Sequence, residues 1–175
     1  RLLSRSYFDR KSEINWTEKG PNAQGGRTRA LMLDGNYSSN NRVWAAGVSG
    51  GLWYNDDISS SSNTWTKVSD FWDNLEITTI ASDPNNSDII YVGSGEKVGS
   101  AGIGLGMWKT TDGGANWSQL SSTVDYRFMG DMIVRNESGQ SVIYIGTGRS
   151  AHEGQYQGIN GLWRSTDGGS TWNEV

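Results

Sequence analysis

The apolar positions of this chain come in short bursts, each closed by polar, turn-forming residues. The middle of the sequence shows the unit most cleanly. Thr78-Thr79-Ile80-Ala81-Ser82 predicts a short strand, ended by the turn Asp83 to Asp88. Ile89-Ile90-Tyr91-Val92-Gly93 follows as a continuous apolar run of buried-strand length. A glycine-rich segment, Ser94 to Gly106, leads to Met107-Trp108-Lys109-Thr110-Thr111, whose alternation predicts a third strand. Asp112 to Asn116 makes a tight turn, and Trp117-Ser118-Gln119-Leu120 predicts a fourth strand.

The same plan recurs on both sides. After it come Met132-Ile133-Val134, Val142 to Gly146, Leu162 to Thr166 and Trp172 onward. Before it come Thr28 to Leu33, Arg42 to Gly47, Leu52-Trp53-Tyr54 and Trp65 to Val68. Gly51-Leu52-Trp53, Gly106-Met107-Trp108 and Gly161-Leu162-Trp163 stand 55 residues apart, as do Trp117 and Trp172. A constant period of this length marks one supersecondary unit per repeat. Four short antiparallel strands per unit make the blade of a β-propeller, so the expected fold is all-β. Residues 1–13 read as an N-terminal segment and 14–175 as propeller. Within the latter, 14–19 is an outer strand with no preceding three, 25–70 is blade 1, and 75–123 is blade 2. Blade 3, 125–175, stops just inside its fourth strand. Propellers close with about four to eight blades. The expectation is therefore an arc, completed by the rest of its own propeller or by partner chains.

Composition narrows the class. Hydrophobic residues are only 34%, but nine Trp and seven Tyr supply large buriable surfaces, and 24 Gly suit many turns. A net charge of −4 argues against a nucleic-acid partner, which calls for a basic face. No apolar run reaches the roughly 20 residues of a membrane-spanning helix. Without cysteine there are no disulfides or thiolate metal sites, and with one histidine a zinc or redox metal site is not expected. The expected cofactor is none, with a calcium ion held by loop carboxylates and carbonyls as the alternative. The chain begins at Arg1 rather than Met, which fits a removed signal peptide or a boundary within a longer sequence.

Thr110-Thr111-Asp112-Gly113-Gly114-Ala115-Asn116-Trp117 and Ser165-Thr166-Asp167-Gly168-Gly169-Ser170-Thr171-Trp172 share the pattern Ser/Thr-x-Asp-x-Gly-x-x-Trp. The Asp carboxylate is placed to accept from backbone N–H groups of its own turn, and the Trp to fold back into the sheet. Thr110, Asp112, Gly114 and Trp117, with Ser165, Asp167, Gly169 and Trp172, are therefore structural rather than catalytic. Here the chain resembles the Asp-box, or bacterial-neuraminidase, repeat proteins, which include sialidases, sortilin-type receptors and xyloglucan-cleaving glycosidases. Gly20 to Leu31 with Gly47-Val48-Ser49-Gly50-Gly51-Leu52-Trp53 resembles the opening of large secreted Bacteroidetes propellers, many exported by the type IX secretion system. The resemblance implies an extracellular or cell-surface protein, with an outer-membrane secretion complex among its partners.

Strands that alternate in direction put the second-to-third and fourth-to-first connections on one face, where the long variable segments collect. The candidate ligand-binding residues there are Phe71, Trp72, Asp73, Glu96, Tyr126, Arg127, Arg149, His152, Glu153 and Tyr156, with Arg27 and Arg29 nearby. Aromatics beside carboxylates and arginines suit sugars or protein side chains. A glycosidase needs two carboxylates roughly 5–9 Å apart, and Glu96 and Glu153 occupy equivalent insertions of adjacent blades. A sialidase would need an arginine triad; Arg27, Arg127 and Arg149 are available, but the Arg-Ile-Pro signature is absent. In xyloglucan-cleaving relatives the first blade carries a catalytic Asp in a segment similar to Gly47 to Gly51. Ser49 and two glycines stand there, so that role does not transfer. The expected function is a non-catalytic propeller that binds a protein or glycan, or travels as secretion cargo. The alternative is a carbohydrate-active enzyme with catalytic groups partly outside this chain.

Overall fold

The computed structural model describes residues 27–68, 76–96, 102–148 and 159–175. They form three four-stranded antiparallel sheets, each a simple meander with neighbours in chain order. Blade 1 holds β1 (Thr28–Leu33), β2 (Val43–Gly47), β3 (Gly51–Asn55) and β4 (Thr66–Lys67). Blade 2 holds β5 (Ile77–Asp83), β6 (Asn86–Ser94), β7 (Met107–Thr110) and β8 (Ser118–Gln119). Blade 3 holds β9 (Met129–Glu137), β10 (Gln140–Thr147), β11 (Gly161–Ser165) and β12 (Asn173–Glu174). The first strands of neighbouring blades, β1, β5 and β9, touch one another. They form the inner wall of an arc, and the two-residue fourth strands lie at its rim. The expected all-β architecture is the one adopted. The expected outer strand 14–19 lies outside the described residues.

Three local details differ from the sequence expectation. The turn placed at Asp83 to Asp88 shrinks to Pro84-Asn85, because the Asn85 N–H bonds the Asp83 carboxylate at 2.8 Å and the strands pair up to it. Trp117 and Trp172 precede their fourth strands instead of opening them. The β1–β2 connection carries a single helical turn, α1 (Tyr37–Asn40). Its geometry is set by the buried Asp34 carboxylate, which accepts from the Asn36 N–H at 2.8 Å and from Trp44 Nε1 at 2.9 Å.

The core lies between the sheets. Trp44, Leu52, Ile80, Ile90, Val92 and Trp108 fill the seam between blades 1 and 2. Tyr91, Met107, Tyr126, Met132, Ile143 and Ile145 fill the seam between blades 2 and 3. Each such fully buried aliphatic or aromatic side chain contributes roughly 1.5–3 kcal/mol relative to exposure. Polar seams reinforce the packing on the side away from the long loops. Ser87 Oγ donates to Asn36 Oδ1 at 2.8 Å, and one blade on, Asn85 Nδ2 donates to Ser141 Oγ at 2.8 Å. On the sides away from these seams, Leu31 and Leu33 on blade 1 and Ile133 and Leu162 on blade 3 are exposed.

Candidate functional site

The Asp turns explain how the scaffold is pinned. Asp112 Oδ1 accepts the Asn116 N–H at 2.8 Å and its Oδ2 accepts Asn116 Nδ2 at 2.7 Å. Thr110 Oγ donates to the same carboxylate at 2.7 Å and accepts the Gly114 N–H at 3.0 Å. Trp117 Nε1 then donates to the Gly114 carbonyl at 3.0 Å. The turn one period later repeats this. Asp167 accepts from the N–H groups of Ser170 and Thr171 and from Thr171 Oγ1, Ser165 Oγ accepts the Gly169 N–H, and Trp172 Nε1 donates to Gly169. These bonds hold both carboxyls down at about 2, led by the Asn116 N–H for Asp112 and by the Thr171 hydroxyl for Asp167. A carboxylate saturated by its own turn has no capacity left for acid–base chemistry on a substrate.

The opposite face carries the candidate site, and its described part is a braced framework. Ser94, fully buried at the end of β6, accepts the Leu105 N–H on Oγ at 2.9 Å and donates to the Gly106 carbonyl at 2.7 Å. Buried Thr123 Oγ1 accepts the Met107 N–H at 2.9 Å. The Gly104 N–H bonds the Arg127 carbonyl at 2.8 Å, tying the β6–β7 connection to the segment that leads into blade 3. Glu76 accepts the Gly102 N–H, and its own carbonyl accepts the Gly95 N–H at 3.0 Å. Long loops thus leave a rigid base.

Glu96 is the centre of this framework. Its side chain is only 1% exposed, and it meets Arg27 Nη2 at 3.0 Å and Arg29 Nε at 3.2 Å. The bridge crosses from blade 2 to the innermost strand of blade 1. A carboxylate sealed from solvent between two guanidinium groups braces the blades, and a sugar cannot reach it in this geometry. Both arginines remain exposed, at 55% for Arg27 and 38% for Arg29.

Tyr126, expected as an exposed binding aromatic, is instead buried in the seam between blades 2 and 3. Its ring meets Trp163 edge-on at 5.4 Å and leans on Trp172 at 5.9 Å, and burial raises its hydroxyl pKa. The Arg127 side chain is a surface group paired with Asp125 at 3.5 Å. Phe71, Trp72, Asp73, Arg149, His152, Glu153 and Tyr156 lie outside the described residues, so the proposed Glu96–Glu153 pairing and the arginine triad do too. Among the described residues no group of three His, Asp or Glu is placed to hold a metal ion. At the blade 1 turn, Val48 is buried with its N–H on the Arg27 carbonyl at 3.0 Å, and Trp53 Nε1 donates to Gly50 at 2.7 Å. That turn carries no acid. Sequence reasoning missed the Glu96–Arg29 bridge and the roles of Ser94 and Thr123, because partners so far apart in the chain leave no local signal.

Fold and framework together define a β-propeller arc with one irregular, arginine-bearing loop face. No family model matches the chain. Over 121 residues it is 29% identical to a xyloglucanase from Paenibacillus sp, covering 66% of this chain and 12% of the relative. Over 99 residues it is 33% identical to a probable oligoxyloglucan-reducing end-specific xyloglucanase from Neosartorya fischeri, covering 54% and 11%. Among solved structures, the chain superposes on the GH74 enzyme of Niastella koreensis with a TM-score of 0.57 at 19% identity, over 82% of this chain and 20% of that one. The GH74 xyloglucanase of Xanthomonas campestris gives a TM-score of 0.56 at 21% identity, over 86% and 21%. An ancestral GH74 enzyme gives 0.59 at 20% identity, over 85% and 18%. At these identities the structures establish the fold, a β-propeller. The chain spans about an eighth of the length of the curated relatives it matches. These relatives overturn the expectation of a non-catalytic binding or cargo propeller and favour the carbohydrate-active alternative. In the described helices and strands, no helix is long and apolar enough to cross a membrane.

Proposed function

We propose that this chain is a three-blade arc of a secreted, carbohydrate-active enzyme of the xyloglucanase kind, cleaving or gripping a β-glucan with catalytic groups partly outside it. The match over 121 residues to a Paenibacillus xyloglucanase carries this reading. The architecture is compatible with it: the Ser/Thr-x-Asp turns, read as Asp-boxes, stiffen the far face and leave the loop face to meet a polysaccharide. Arg27 and Arg29, oriented by Glu96, supply N–H donors suited to sugar hydroxyls. Their role is positioning, since neither described carboxylate of this framework, Glu76 or Glu96, is placed as a free acid–base pair. No metal is required for hydrolysis between two carboxylates.

The test is reducing-end release from xyloglucan and from cello-oligosaccharides. It is run on the chain alone and on the chain joined to the flanking sequence of its reading frame. Hydrolysis or binding selective for xyloglucan by the longer protein supports the reading. Failure of that longer protein to bind or cleave any β-glucan would overturn it.

A further inference from the structure

Four dipeptides carry the sequence signature of spontaneous backbone rearrangement: Asp34-Gly35, Asp112-Gly113, Asn160-Gly161 and Asp167-Gly168. In each, a glycine nitrogen follows a side chain whose Cγ it can attack to close a five-membered imide. The missing glycine Cβ leaves that attack unhindered. The sequence marks all four, and the fold decides which stay reactive. A reactive side chain must be able to leave its resting position, and its Cγ must carry a group that can depart.

The three aspartates fail both conditions or the first. Asp34 is buried, with one oxygen on the Asn36 N–H at 2.8 Å and the other on Trp44 Nε1 at 2.9 Å. Gly35 beside it is so closely packed that a Cβ would stand 2.5 Å from Ser87 Cβ. Asp112 is held by the Asn116 N–H, Asn116 Nδ2 and Thr110 Oγ1, and the Gly113 N–H itself donates to the Asp88 carbonyl at 2.9 Å. Asp167 is held by the N–H groups of Ser170 and Thr171 and by the hydroxyls of Ser165 and Thr171. Those bonds keep both turn carboxyls at about 2, so at neutral pH only about one molecule in 100,000 carries the proton that a departing hydroxyl needs.

Asn160 differs on both counts. Its side chain is a neutral amide, which can lose ammonia. The residue is half-buried, and its Oδ1 has no hydrogen-bond partner among the described residues. Gly161 opens β11 with φ of 127°, and a Cβ there would meet nothing nearer than Glu174 Oε1 at 3.3 Å, which sets a carboxylate beside the reacting pair. We propose that Asn160-Gly161 is the site at which the folded chain modifies itself. The Gly161 nitrogen bonds to Asn160 Cγ, and the amide nitrogen departs as ammonia, taking up the proton of the Gly161 N–H. Water then opens the imide at either carbonyl and restores that N–H, leaving aspartate or isoaspartate at position 160.

The products meet a second unpartnered group. Trp163 Nε1 is buried without a hydrogen bond and lies 3.4 Å from the Cβ position of Gly161. In blade 1 the matching Trp53 Nε1 donates to the carbonyl three residues before it, that of Gly50, and three residues before Trp163 stands Asn160. Aspartate at 160 brings a charged acceptor to this indole. Isoaspartate instead adds a backbone atom at the entry to β11 and loosens the Thr147–Gly161 pair. None of this depends on the carbohydrate reading.

The test ages the 175-residue chain at mildly alkaline pH, once folded and once in urea, and maps its peptides by mass spectrometry. Asn160 is followed by the mass gained when an amide becomes an acid, and all four dipeptides by isoaspartyl methyltransferase labelling. Folding is expected to change the rate at Asn160 by less than threefold and to slow each Asp-Gly site at least tenfold. Asn160→Gln should abolish the early mass gain of the folded chain, which assigns it. Asn160→Asp, the aspartate product, should move one indole N–H resonance that Trp163→Phe lacks. Slowing of Asn160 by tenfold or more on folding overturns the inference. So does an Asp-Gly site that keeps its unfolded rate, or an early mass gain that survives in Asn160→Gln.

Discussion

Replacing Gly114 by alanine separates the two duties of the Asp turn, shaping the backbone and admitting the neighbouring blade. Gly114 has φ of 93°, and a Cβ there would lie 2.4 Å from Cη2 and 2.9 Å from Cζ2 of Trp44, a ring that is completely buried. Gly139 has nearly the same backbone, φ 88°, but nothing lies within 4 Å of where its Cβ would stand, so it reports conformational strain alone. That strain is about 1–2 kcal/mol, partly offset by the roughly 0.4–1 kcal/mol gained from restricting the unfolded chain. At Gly114 a further ~1–3 kcal/mol of overpacking applies, since the indole is held by its bond to Asp34 and cannot step aside. Gly169, φ 92°, is intermediate, because its methyl would come too close only to Leu120 Cδ1 at 2.7 Å, the end of a flexible side chain, with Trp172 and Ile143 at ordinary contact distances of 3.7 and 3.9 Å. The expected order of destabilisation is Gly139→Ala about 1 kcal/mol or less, Gly169→Ala more, and Gly114→Ala about 2–4 kcal/mol. Urea unfolding followed by tryptophan fluorescence measures it. Equal losses for Gly114→Ala and Gly139→Ala would refute the claim that the seam, rather than the turn, demands glycine at 114.

Other outcomes follow from the same contacts. Asp112 and Asp167 ionise more readily folded than unfolded, so their stabilisation is complete above the unfolded carboxyl value near 4. It is lost as pH falls toward about 2. The urea midpoint should fall through that window, and Asp112→Asn with Asp167→Asn should flatten the dependence; an unaltered profile would contradict it. Tyr126→Phe should cost under about 1.5 kcal/mol, and Tyr126→Ala about 3–5 kcal/mol, because the ring wedges between Trp163 and Trp172. Thr78 Oγ1 donates to the Met129 carbonyl at 2.8 Å across the second seam, so Thr78→Val should cost about 1–2 kcal/mol in the same assay. If the longer protein hydrolyses xyloglucan, Glu96→Gln should retain turnover within a few-fold. Complete loss would make Glu96 catalytic and refute its role as a brace.

Much of the scaffold was legible because its signals are local. The bursts of apolar residues and the Asp-Gly-Gly turns each act within one blade, over a few neighbouring residues, and the 55-residue spacing repeats them from blade to blade. They determined three four-stranded sheets and the inward fold of Trp117 and Trp172. The loop face was much less legible. Tyr126 sits in a polar connection and Glu96 in a glycine-rich one, both of which read as exposed, and they are buried because of Trp163, Trp172, Arg27 and Arg29, which lie some 35 to 70 residues away. Only the stacking of one blade on the next decided which aromatics are core and which carboxylate is a brace. The physical reason is that a blade's own pattern specifies which residues are apolar. Which of its two faces is covered depends on a neighbour that local sequence does not describe.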